Sequence, residues 1–128
     1  MKIKDYRINV TVNADGDGTG YSESGVFGLL YKVQWISGDL ADNNTSVLTC
    51  DNSSQSDETL LTLGAGEGDT DLVYYPRALA CDAAGTALTG TAGGDRVMPL
   101  VLGTLKLVIA AGGVSKTGGC IVYVMESD

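Results

Sequence analysis

Residues Thr104–Met125 read TLKLVIAAGGVSKTGGCIVYVM. Two apolar runs flank a glycine-rich connector. In the first, Leu105, Leu107 and Ile109 fall on one side of an extended chain, and Lys106, Val108 and Ala110 on the other. In the second, Cys120, Val122 and Val124 oppose Ile121, Tyr123 and Met125. Side chains alternate faces along a strand, and branched residues favour one. The stretch therefore predicts a β-hairpin, buried on one face and largely covered on the other. An antiparallel sheet commonly turns one face to water, so apolar residues on both faces call for extra cover. A neighbouring subunit would supply it, with Val108, Val122 and Val124 as the expected interface contacts.

The same period of two runs through the rest of the chain. Tyr6, Ile8, Val10 and Val12 line one face of a first strand. Leu29, Tyr31, Val33 and Trp35 line another, with Lys32 and Gln34 opposite. Tyr31 and Trp35 then share a face, and that face reads as core in preference to an exposed sugar-stacking platform. Ser46–Cys50, Thr59–Leu63 and Asp71–Tyr75 are short strands between polar turns. The residues Ala78–Gly94 are rich in Ala, Gly and Thr, with a short extended piece at Ala87–Thr89. Residues Arg77–Ala84 allow at most one helical turn, lacking a good N-cap and meeting Gly85. Pro99 marks an edge or bend in the lead-in to the last two strands. Seven to nine short, mostly antiparallel strands with turn residues between them predict an all-β fold, a β-sandwich of jelly-roll type. It forms a single domain over residues 1–128, with no internal repeat and no linker.

Composition narrows function further. Sixteen acidic residues against eight basic ones give a net charge of -8. The basic residues form no stripe, which argues against nucleic acid, whose affinity comes from Lys and Arg at phosphates. No apolar run is long enough for a membrane helix, and the first residues have no secretory apolar core. Three cysteines, Cys50, Cys81 and Cys120, lie far apart with no Cys-x-x-Cys spacing, so all three are expected free, buried and inert. The chain has no histidine. That removes the usual base of Ser and Cys hydrolases and the imidazole zinc sites. The acids lie in turn-rich loops, where turn chemistry accounts for them. No catalytic residues and no cofactor are expected.

Two loops carry motifs worth weighing. Gly112-Gly113-Val114-Ser115-Lys116-Thr117 resembles the phosphate-binding loop of ParA/MinD-class ATPases. Ala111 replaces that class's signature Lys, Ser115 stands where Gly is needed, and a strand follows where a helix N-terminus should be. A plain glycine-rich turn is the better reading. Asn13-Ala14-Asp15-Gly16-Asp17-Gly18 opens like a calcium loop, but Ser24 occupies the twelfth position and Glu23 comes one residue early. An Asp-Gly turn explains the same residues, so no metal is assigned.

With no catalytic set, the chain reads as a structural or binding module. The residues Arg96–Tyr123, RVMPLVLGTLKLVIAAGGVSKTGGCIVY, resemble the end of the small decoration or cement proteins of tailed bacteriophages. The shared pattern is an apolar lead with proline, an L-K-L-V strand, a Gly/Lys loop and a final branched strand with tyrosine. The resemblance implies a sandwich or jelly roll made in the host cytoplasm and carried on the capsid exterior of the virion. It implies the major capsid protein as partner and a homo-oligomer, a trimer in preference to a dimer. The alternative expectation is a receptor- or carbohydrate-binding β-sandwich of a phage spike or fibre.

Overall fold

The computed structural model describes residues 2–51, 58–79 and 96–127. Alternation decides most of the strands. β1 (Lys2–Thr11) buries Tyr6, Ile8 and Val10 and exposes the residues between them, as predicted. β2 (Gly18–Tyr21) follows the Asn13 turn. β3 (Val26–Ile36), β4 (Thr45–Asp51), β5 (Glu58–Leu63) and β6 (Leu72–Tyr74) come next. β7 (Ala78–Leu79) and β8 (Arg96–Val97) pair with each other in a two-stranded ribbon. β9 (Leu100–Ala110) and β10 (Thr117–Glu126) complete the chain. The residues Ala78–Leu79 are extended, where a helical turn had been allowed over 77–84. The rest of that turn, the extended piece at 87–89 and Cys81 lie outside the described residues.

The fold is all-β. Eight strands form one antiparallel sheet in the order β1-β10-β3-β9-β4-β5, with β2 beside β9 and β6 beside β3. With the β7-β8 ribbon the described residues hold ten strands, one above the expected seven to nine. The expected terminal hairpin is absent. β9 and β10 are separated by β3, which pairs with Leu100–Gly103 of β9 on one side and with Gly119–Met125 of β10 on the other. The connector between them is an arch. Ala111, Gly113 and Ser115 all take positive φ, at 56°, 93° and 53°. Its backbone bonds reach other loops: Gly112 N–H donates to Gly16 O at 2.9 Å, and Ala41 N–H donates to Gly112 O at 3.0 Å.

β9 changes partners along its length. Its first residues pair with β3, whereas Thr104–Ala110 pair with β4. The change falls at Gly103, whose φ of 132° is one that a β-carbon would strain. Leu105, Leu107 and Ile109 from β9 and Cys120, Val122 and Val124 from β10 join a single buried cluster with Ile8, Val10, Leu30, Val33, Trp35 and Leu48. Each such Val, Leu or Ile contributes about 1.5–3 kcal/mol through burial. The Trp35 indole N–H donates to Gly68 O at 2.9 Å, which ties the 64–71 loop to the core.

One end of the sheet is laced by polar bonds. Val12 N–H donates to Lys116 O at 2.9 Å, and Asp39 Oδ1 accepts from Thr117 N–H at 2.7 Å. Asp71 Oδ1 accepts from Ser37 N–H at 2.8 Å and from its hydroxyl at 3.0 Å, and Asp69 Oδ1 accepts from Asn43 N–H at 2.8 Å. These acids sit in loops because their carboxylates satisfy turn amides.

Candidate functional site

The opposite end of the sheet begins from an irregularity in β3. In its register with β10, Tyr123 faces Lys32 and Val124 faces Leu30, so Tyr31 is passed over. That is a β-bulge, one extra residue on the β3 side. It reverses the parity of the strand. Val33 and Trp35 point inward after it, whereas Val26 and Leu30 point inward before it. The expected single face of Leu29, Tyr31, Val33 and Trp35 is therefore split. Trp35 is buried in the core, and Leu29 and Tyr31 lie half-buried on the outer face. No Tyr31–Trp35 platform exists. Tyr31 instead meets Tyr75 edge to face, with ring centroids 6.1 Å apart and planes at 78°.

The reversal turns Phe27 and Leu29 outward, opposite Leu102 and Leu100 of β9. Phe27 is 64% exposed, Leu100 53% and Leu102 46%. The register extends the row sideways. Leu29 is opposite Met125, and Met125 is opposite Ile3 of β1. An apolar strip thus crosses β1, β10, β3 and β9 on the side of the sheet away from the core. Cross-strand pairs of this kind stabilise a sheet, and they leave Phe27, Leu100 and Leu102 turned to solvent.

A groove opens beside the bulge, where β3 passes from β6 to β9 as its neighbour. It is open to solvent and is lined by Leu29, Tyr31, Val97, Met98 and Met125. Arg77 and Arg96 also line it. Arg77 is placed by the bulge itself, for its Nη1 donates to the carbonyl of Tyr31 at 3.0 Å and to that of Pro76 at 2.6 Å. Arg96 is placed by the β7-β8 ribbon, opposite Leu79. At the edge of the same end, the Tyr6 hydroxyl donates to the Glu126 carboxylate. Burial, helped by that hydrogen bond and the charge of Glu126, pushes the Tyr6 phenol up to about 12.

Of the three residues expected at an interface, Val122 and Val124 are 0% exposed within the single chain, in its core. That corrects the expectation for both. β10 lies between β1 and β3, and its valines form the inner row. Val108 is on the outer side and is 36% exposed. The apolar residues that β10 turns outward are Ile121, Tyr123 and Met125. Ile121 is nearly covered, and Lys32 Nζ lies 4.8 Å above the Tyr123 ring. The apolar side chains left most exposed on the outer face are instead Phe27, Leu100 and Leu102, beside the bulge.

The two loop motifs are occupied by structural work. Asn13 Oδ1 accepts from the amides of Asp15 and Asp17 at 2.8 and 3.1 Å, an Asx turn. In the Gly112–Thr117 arch, Ser115 N–H donates to Asn13 O at 3.3 Å, Thr117 N–H is held by Asp39, and a strand follows. Cys50 and Cys120 are buried, and burial pushes the Cys120 thiol up to about 12. No protein family, curated protein or solved structure matches the chain.

Proposed function

We propose that this chain is a structural virion protein that docks on the outside of a bacteriophage head and braces it. The reading joins the resemblance over Arg96–Tyr123 to one observation, the exposed apolar strip of Phe27, Leu29, Leu100 and Leu102. In a free monomer much of that strip stays in water. Docking on a shell removes it from water at about 25 cal/mol per Å² of apolar area. The partner is then the major capsid protein. Copies of the chain meet one another as a homo-oligomer, with a trimer favoured. The corner at Gly103 and the mixed lining of the core, with Trp35 and Cys120 facing Leu48, Leu63 and Leu107 around one small void, support a two-layer sandwich of jelly-roll type.

The chain, added to heads that lack it, should sediment with them and raise their rupture temperature. A Phe27→Ser/Leu102→Ser variant should stay in the supernatant while keeping its fold. A strictly monomeric chain with no affinity for heads, but with binding to whole host cells or glycans, would replace the proposal with a receptor-binding role.

A further inference from the structure

We propose that the groove beside the Tyr31 bulge is a carboxylate-recognition site, and that its occupant is a segment of a protein partner carrying acidic side chains among apolar ones. The inference rests on the reading that the outer face docks on another protein. It adds the chemistry of what the groove accepts.

The charge pattern carries it. The chain has twice as many acidic as basic residues. Yet neither Arg77 nor Arg96 meets a carboxylate among the described residues. Arg77 spends Nη1 on two backbone carbonyls, which fixes the plane of its guanidinium. Its Nε and Nη2 donors have no partner among the described residues. A guanidinium held in this way offers a carboxylate a pre-arranged fork. The remaining lining, Leu29, Tyr31, Val97, Met98 and Met125, is apolar. Two methionines there suit irregular apolar side chains.

The same pattern disfavours other occupants. A nucleic acid would bring many phosphates to a chain of net charge -8, and it offers no aliphatic side chains to this lining. A second copy in a two-fold contact would set arginine against arginine, because such an interface presents the same patch from both sides, whereas a head-to-tail contact, as in a trimer, would show as concentration-dependent shifts without any peptide. An acidic-apolar segment satisfies both halves of the groove.

The test uses the whole chain, isotopically labelled, with two peptide probes followed by nuclear magnetic resonance. One probe is acetyl-Gly-Leu-Glu-Ile-Asp-Val-Gly-amide. Its twin carries Gln and Asn in place of Glu and Asp. The acidic peptide should shift the side-chain Nε resonances of Arg77 and Arg96 and the amides of Leu29, Val97 and Met98. Affinity should fall about tenfold or more for the twin, for Arg77→Gln/Arg96→Gln, and in high salt. An Arg77→Lys/Arg96→Lys variant should recover part of it, as charge returns without the fork. Equal binding of both peptides, no shift with the acidic one, or shifts retained in the double Gln variant would overturn the proposal. So would concentration-dependent shifts at these same resonances without peptide, which would assign the groove to a second copy. The two readings fail separately. Head binding without peptide binding would sink the groove proposal alone, and peptide binding without head binding would sink only the capsid reading.

Discussion

The two ends of the sheet solve opposite problems. At the end formed by residues 12–17, 36–44, 64–71 and 111–117, carboxylates are used internally, and Asp39, Asp69 and Asp71 each cap a backbone amide. At the other end, apolar pairs face outward, and two arginines lie in a groove without carboxylates among the described residues. Polar groups satisfied within the chain stabilise it and leave little to offer a partner. Apolar and cationic groups left open contribute little to folding and become valuable only when something covers them. If the proposed docking holds, stability and docking fall to different ends of one sheet, so substitutions should separate them.

The largest expected effect sets the baseline between the two ends. Val122→Asp places a carboxylate in the fully buried row of β10 and should cost several kcal/mol, enough to unfold a marginal domain. Circular dichroism and soluble yield would check it. A folded Val122→Asp chain that merely failed to assemble would restore Val122 to an interface. Next, Trp35→Phe removes the indole donor to Gly68 and some core volume, and should cost about 1–3 kcal/mol in urea unfolding. Head binding at saturating folded protein should not change. If it did, the laced end would be part of the docking surface, and the contrast between the ends would fail.

A pH effect of intermediate size concerns Tyr6. Its folded pKa of about 12 lies above the ordinary value of 10.0, so the neutral phenol is the form that the fold favours. The stability it contributes is fully present below about pH 10. It is lost as pH rises towards 12, because the unfolded chain ionises first. Tyr6→Phe should flatten that alkaline loss in thermal melts between pH 10 and 12. An identical alkaline profile in both proteins would show that Tyr6 does not govern it. The smallest effect on stability is expected at the open end. Leu102→Ser alone should shift unfolding by no more than about 0.5–1 kcal/mol, since its side chain is already half in water. It should still weaken docking measurably, and a large loss of stability with unchanged docking would invert the comparison.

Much of this was legible in the residues. The inward sets Tyr6-Ile8-Val10 and Leu105-Leu107-Ile109 follow from alternation alone, and so does the all-β class. The pairing of β9 with β10 did not follow, because a glycine-rich connector reads the same whether it closes a hairpin or arches over an intervening strand. The exposed apolar strip was missed for a different reason. A bulge adds a residue without any composition signal, and FGLLYKVQW alternates plausibly in either parity. Only the register against β10 reveals which half is turned. Arg77 was hidden for the same cause, since its partner is a carbonyl that the bulge presents.

The Tyr31 bulge also acts as a reading frame for side chains. Upstream of it odd-numbered residues face outward, and downstream odd-numbered residues face inward. Deleting Tyr31 would restore an unbroken ladder, and the two halves of β3 could no longer both keep their present orientation. Either Trp35 and Val33 would leave the core, or Phe27 and Leu29 would enter it while Val26 and Leu30 came out. Insertions and deletions are usually tolerated by loops and refused by strand centres. Here the centre of a strand already holds one extra residue, and the outward placement of Phe27 and Leu29 depends on it.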